Sequence, residues 1–269
     1  MKYRFMTLLS LFVLAMAAMA QGKAKYVFYF IGDGMGVNQV LGTEMYRAEL
    51  QGNIGVVPLQ FSLFPNVTMA TTFSATNGVT DSAASGTALA TGEKTKNGAI
   101  GVLKDQKTPA SSIAVWAKDA GYKVGVTTSV SVDHATPSAF YAHQASRNSY
   151  YNIGLDLYEA GFDFYAGSEI KNNVDPKKHP GAPDLYAEME RAGYVVARGT
   201  KDFSEKYRKA SRMLLVQDDT RLHPVSGSYS IPYAIDKQQG DMTPEDILQC
   251  QIAFLTKDNS DGFFIMNEI

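Results

Sequence analysis

Thr80-Asp81-Ser82-Ala83-Ala84-Ser85-Gly86-Thr87-Ala88 is the stretch around which the rest of the chain is organised. It follows the loop Thr76-Asn77-Gly78-Val79 and runs straight into the helix-prone Ala88-Leu89-Ala90. Ser82 therefore stands where a loop becomes a helix, among neighbours small enough to let another molecule approach. The first turn of a helix points unpaired N–H groups and a partial positive charge outward, which suits a phosphate. A serine in that position is ordinarily a cap and nothing more. Company sets this one apart: three other loops carry acidic, hydroxyl and Arg residues that fit one phosphate-and-metal site.

Working outward, Lys25-Tyr26-Val27-Phe28-Tyr29-Phe30-Ile31 is a nearly unbroken apolar run closed by glycine. That pattern predicts a strand buried on both faces of a parallel sheet. Gly32-Asp33-Gly34-Met35-Gly36 follows, but a dinucleotide fingerprint needs glycine at 37, where Val37 stands. An Asp between the glycines also sets negative charge against a pyrophosphate. Asp33, at the carboxyl end of a strand, suits a metal ligand better. Residues 66–73 predict a second strand leading to the Ser82 loop. Gly92-Glu93-Lys94 is no P-loop, because Gly86 is one residue too far away.

Thr108-Pro109 predicts a helix through Ala120, with Thr as cap, Pro in the first turn and Gly121 as the stop. A strand over 123–128 completes a βαβ rhythm. After it come Ser131-Val132-Asp133-His134-Ala135-Thr136-Pro137 and Ala142-His143-Gln144-Ala145-Ser146-Arg147. A lone histidine is most often structural. Of the two, His134, nearer the sheet edge, is the functional candidate over His143. Arg147 has the planar fork that grips a tetrahedral oxyanion.

Further on, helices are expected over 153–160 and 184–192, and strands over 162–166, 194–196 and 213–216. The polar, Pro-rich 172–183 reads as a surface loop with His179 solvated, and His223 has the same reading. Thr243-Pro244-Glu245-Asp246 is a capping box opening a helix to about residue 255. Cys250 fits that helix's pattern with Ile247 and Phe254, as a small core residue. Residues 262–268 predict a strand ending in a carboxylate. In such sheets ligands bind outside the carboxyl ends of the strands. Asp33, Ser82, the 134–147 group and Glu268 together make a kit for metal-assisted phosphoryl or sulfuryl transfer.

Composition narrows the class. Of 269 residues, 45% are hydrophobic and 19% charged, as in a globular protein of one large or two small domains. A net charge of -2 makes no case for nucleic acid or an anionic membrane. The single cysteine excludes an intrachain disulfide and a Cys-rich zinc site. Residues 1–20 read as a secretory signal: Lys2 and Arg4, an apolar run from Met6 to Ala17, and the cleavage site Ala18-Met19-Ala20. That run falls short of the roughly 20 residues of a membrane span. The mature chain is thus expected from about Gln21, periplasmic or secreted, with no membrane span.

The chain resembles the N-terminal part of bacterial alkaline phosphatases. The stretches that carry the resemblance are Phe30 to Gly36, Val79 to Ser85, Ala88 to Gly92 with Asn97 to Gly101, His134 to Pro137 with Ser146-Arg147, and Phe263 to Glu268. It implies a three-layer α/β/α sandwich with a mostly parallel central sheet, residues 21–269 forming the N-terminal part of a single domain. It implies hydrolysis of phosphate monoesters through a phosphoserine, with Ser82 as nucleophile, Arg147 as phosphate clamp and Asp81 steadying the Arg. Two Zn2+ and one Mg2+ are the implied cofactors. Asp33 bridges a zinc and the magnesium, Ser82 meets zinc, Thr136 and Glu268 complete the magnesium ligands, and His134 acts from behind them. The family's remaining zinc ligands have no counterpart here, so the chain is expected to be a C-terminally truncated form, loosely folded and inactive by itself. The expected partners are phosphate monoesters and inorganic phosphate, with a homodimer as the assembly to look for. A phosphodiesterase of the same superfamily and a non-catalytic secreted phosphate- or metal-binding fragment are the alternatives. A sulfatase is disfavoured because Ser82-Ala83-Ala84-Ser85-Gly86 lacks its Arg, and a serine hydrolase because G-x-S-x-G is missing.

Overall fold

A computed structural model describes residues 24–217, 223–225, 228–259 and 261–269, with the side chains of 223–225, 228 and 229 left aside. Residues 1–20, expected to be a signal, and the side chain of His223 lie outside what is described. Six strands form one parallel sheet: β1 (Tyr26–Ile31), β2 (Lys123–Thr128), β3 (Phe164–Gly167), β4 (Tyr194–Arg198), β5 (Arg212–Val216) and β8 (Phe263–Glu268), in the order β1-β8-β2-β3-β5-β4. The last strand inserts between the first two. Its Glu268 is in register with Ile31 on one side and Thr128 on the other. A two-stranded antiparallel ribbon, β6 (His223–Val225) and β7 (Ser228–Ser230), stands apart.

Helices cover both faces. On one lie α2 (Ser82–Thr91), α3 (Ile113–Asp119), the single turn α4 (Ala135–Ser138), α5 (Tyr150–Glu159) and α6 (Leu185–Arg191). They enclose a core of Val126, Phe140, Ile153, Tyr165, Leu214 and Met266. On the other lie α7 (Gly199–Lys206) and α8 (Pro244–Thr256), over Phe164, Leu215, Phe254 and Ile265. The layers thus form the α/β/α sandwich expected. The capping box of α8 is in place, with Thr243 Oγ1 accepting from Asp246 N–H and the Asp246 carboxylate accepting from Thr243 N–H. Cys250 is buried on that helix.

Four expectations need correction. β1 is an edge strand, with Phe28 46% and Phe30 55% exposed, because nothing pairs with its outer edge or covers its α8-side face among the described residues. Residues 66–73 form no strand, since their apolar side chains project outward with no neighbouring strand to bond; Ser82 therefore follows a loop. The helix expected from Thr108 starts at Ile113, capped by Ser112, because Pro109 is engaged in a bridge with Val102. His179 is partly buried, its ring stacked on Tyr151 at 4.7 Å. Two helices were not expected from the sequence. These are α1 (Val37–Leu50), in which only Ala48 is buried, and α7, which buries only Phe203.

Candidate active site

The site is built at the start of α2. Asp81 is its N-cap, with extended backbone and a carboxylate that accepts from Ala84 N–H at 3.0 Å. Ser82 is the first helical residue, so its hydroxyl is carried at the exposed end of the helix axis, where the N–H groups converge. Ser82 Oγ donates to Asp33 Oδ2 at 3.0 Å. Asp33 is brought there by β1 pairing with β8, a ladder that continues past the strands through Asp33 N–H to Ile269 C=O at 3.1 Å. Helix α2 can close on the α4 turn because residue 86 is glycine. A Cβ there would stand 3.2 Å from Ala139 Cβ and 3.3 Å from Thr136 Cα. That close approach brings the Ser82 helix and Thr136 to one place.

Asp81 has a second task. Its Oδ2 pairs with Arg147 Nη1 at 3.2 Å, and both its oxygens accept from Gly98 N–H at 3.1 Å. Gly98 in turn accepts Arg147 N–H at 2.7 Å, so the 97–98 loop ties the acid and the guanidinium together. Burial alone raises the Asp81 carboxyl, but the Ala84 and Gly98 N–H groups and Arg147 outweigh it, and the net shift is downward. Asp81 is therefore held as a carboxylate. The other side of the guanidinium, Nη2, lies 3.4 Å from His134 Nε2. Burial, then the Arg147 charge, drop the His134 pKa to about 4, so its ring is neutral and Nε2 accepts. His134 Nδ1 is buried without a partner. His143, by contrast, lies apart from this group, its Nδ1 2.6 Å from Gly101 C=O.

Glu268 ends β8, 5% exposed, and Thr128 Oγ1 on the neighbouring strand donates to its Oε2. Burial and the Asp33 charge raise the Glu268 carboxyl above its ordinary range, against the lowering by that hydroxyl. Thr136 Oγ1 lies near enough to favour the Glu268 carboxylate, yet is buried with no hydrogen bond of full geometry. Asp33, Thr136 and Glu268 thus converge as an all-oxygen set with an unspent hydroxyl, which fits a hard dication such as magnesium. Zinc is not fitted in the same way. Among the described residues no three of His, Cys, Asp and Glu converge as a metal site, leaving only Asp33 and Ser82 of the implied set.

All seven residues singled out in the sequence meet here: Asp33, Asp81, Ser82, His134, Thr136, Arg147 and Glu268. Thr128 was missed, and Gly98 entered only as part of the stretch 97–101, with no role given to it. Thr128 gives no local signal, because its partner is 140 positions away and reached only through strand pairing. A cleft of about 930 Å³ touches Glu268 but not Ser82; it opens on the α8 side and is lined by Phe30, Ile231, Tyr233, Ile247 and Leu248.

The alkaline phosphatase family model matches residues 24–268. The chain is 39% identical over 283 residues to the tissue-nonspecific alkaline phosphatase of Rattus norvegicus, a match covering 91% of this chain and 54% of that protein. It is 28% identical over 292 residues to the alkaline phosphatase of Gadus morhua, covering 95% and 61%. Among solved structures, the alkaline phosphatase of the Antarctic bacterium TAB5 superposes with a TM-score of 0.74 at 31% identity, over 91% of this chain and 64% of that one. The Thermus thermophilus enzyme gives 0.76 at 28% identity, over 92% and 50%. The chain spans about 50–64% of the length of these relatives. With a family model matched from the first described strand to the last, and the same fold in solved members, this chain belongs to the alkaline phosphatase family.

Proposed function

We propose that the chain carries the nucleophile and phosphate clamp of a metal-dependent phosphate monoester hydrolase that works through a phosphoserine. One observation carries this reading: Ser82 Oγ is hydrogen-bonded to Asp33 Oδ2 at the open end of α2, with Arg147 fixed beside it by Asp81. Ser82 Oγ attacks phosphorus as its proton passes to Asp33 Oδ2. A Ser82–phosphorus bond forms, the ester P–O bond breaks, and the leaving oxygen keeps the electron pair and takes a proton from water. Arg147 and the first N–H groups of α2 hold the phosphoryl oxygens as charge builds on them. Neutral His134 keeps the guanidinium turned toward that position without adding a second positive charge. Water then attacks the phosphoserine phosphorus, the Ser82 Oγ–P bond breaks, Ser82 takes back the proton held by Asp33, and phosphate leaves. Asp33, Thr136 and Glu268 would hold magnesium, which when bound would supply positive charge to the site. A variant of the TAB5 enzyme was solved with Mg bound, which supports that reading. The described residues complete no zinc site, so no step is assigned to zinc.

The test is to incubate the metal-supplied chain with labelled phosphate, quench in acid and count label on protein. The expected result is label on the native chain and none on Ser82→Ala; label retained by the variant would sink the assignment. The same proposal includes export, since residues 1–20 read as a signal, and a homodimer; cell fractionation and sedimentation check these separately.

A further inference from the structure

We infer that Lys171, seated against the ring of Tyr150, forms a second cationic subsite beside Arg147 and selects phosphate monoesters whose leaving group carries its own negative charge. The inference rests on the phosphatase reading of the Ser82 site. Both ends of Lys171 are anchored to segments that flank Arg147. Its backbone N–H donates to both oxygens of Asp133 at 3.1 Å. Asp133 is wholly buried and immediately precedes His134, whose Nε2 lies 3.4 Å from Arg147. The Asp133 carboxylate is thus a rivet between the loop bearing His134 and the loop bearing Lys171. At the far end, Lys171 Nζ lies 4.5 Å from the centre of the Tyr150 ring. Tyr150 opens α5, three positions after Arg147.

The ammonium of Lys171 is thus seated on the segment that follows Arg147. Among the described residues no carboxylate pairs with it. A π face steadies a lysine without using up its N–H donors, so they remain available to an anion. Arg147 already spends one edge on Asp81, and its remaining donors suit the transferred phosphoryl group. Lys171, held to one side on separate anchors, suits a charge further along the substrate. A carboxylate or second phosphate on the alcohol portion meets that description, and a neutral alcohol does not.

The experiment is calorimetric titration of the full chain, with magnesium, using inorganic phosphate, 2-hydroxyethyl phosphate and carboxymethyl phosphate. The native chain is expected to bind carboxymethyl phosphate about five- to tenfold more tightly than 2-hydroxyethyl phosphate, the size of one partly screened charge pair. Lys171→Gln should abolish that preference while leaving the other two ligands nearly unchanged, and Lys171→Arg should restore it. Arg147→Ala should weaken all three. No preference in the native chain, or an equal weakening of all three ligands by Lys171→Gln, overturns the subsite while leaving the phosphate site standing. Failure of the native chain to bind inorganic phosphate overturns the phosphate site and the subsite with it.

Discussion

Asp81 does at one position what two residues usually share: it caps α2 and pins Arg147. Replacing it with Ala removes the bonds to Ala84 and Gly98 together with the ion pair. Loss of such a cap typically costs about 1 kcal/mol, and the half-buried guanidinium left without its partner adds to that. Asp81→Asn keeps the cap acceptor and loses the charge. Urea denaturation should therefore show Asp81→Ala destabilised by about 1–2 kcal/mol and Asp81→Asn by less. Phosphate titration should show weaker binding in both, because both release Arg147. Equal phosphate affinity across the three proteins would separate Asp81 from the clamp. Cys250 sets a different test. Burial, with the Asp246 charge adding, pushes its thiol up to about 11 from an ordinary value of 9.0. Between those values the folded chain holds a proton that the unfolded chain has lost. This contribution to stability is complete below pH 9.0 and drains away as pH rises toward about 11. Cys250→Ala should flatten that part of the stability–pH curve. Alkylation of the native thiol at pH 8 should run roughly a hundredfold slower than in urea, following the thiolate fraction.

At the scale of elements, the joint between α8 and the sheet depends on a small residue in β2. Gly125 faces Gln251, and a Cβ there would lie 2.6 Å from Gln251 Nε2 and 3.0 Å from Leu255 Cδ1. Gln251 has no room to yield, being fully buried with its Oε1 accepting from Asn267 Nδ2 at 2.9 Å. Asn267 also donates to Thr127 Oγ1, so a displaced Gln251 disturbs the strand that ends in Glu268. Gly125→Ala should cost about 1–3 kcal/mol, the usual range for overpacking a core. Thermal unfolding measures it, and an unchanged midpoint would show that α8 moves freely over the sheet. Gly101 governs a second joint. It has φ +58°, and a Cβ there would fall 1.9 Å from Ala142 C=O, so only glycine lets the 100–101 loop lie against the 142–144 segment.

Across the whole molecule the apolar surface is unevenly distributed. The β3, β4 and β5 end of the sheet is enclosed by α5, α6, α7 and α8, whereas Tyr26, Phe28 and Phe30 of β1 are about half exposed on one face. Met45, Tyr46, Leu63, Phe64 and Met69 are exposed as well. Exposed apolar side chains next to an unpaired strand edge promote association. The chain should bind a hydrophobic dye and sediment as a concentration-dependent mixture of species. Phe28→Lys should shift it toward the monomer with little loss of secondary structure, since Phe28 is about half exposed and meets Phe263 edge-on. A monodisperse native monomer that binds no dye would contradict this.

Much of the site was legible because its residues sit in short, chemically loud stretches. Ser82 before an Ala-rich helix, Asp33 after an apolar run, Arg147 beyond His134 and Glu268 at a strand end each announce themselves by local pattern. Strands β2, β5 and β8 were legible for the same reason, since continuous apolar runs bounded by turns have few alternatives. Tertiary structure alone decided that β8 lies between β1 and β2, and this places Glu268 between Asp33 and Thr128. It also decided that β1 is an edge. An apolar run looks the same whether or not a neighbour covers it, because burial belongs to the assembled sheet and periodicity to the strand. The link from Lys171 through Asp133 to His134 is likewise a product of packing: it joins two loops that are 38 positions apart and meet only when β2 and β3 pair.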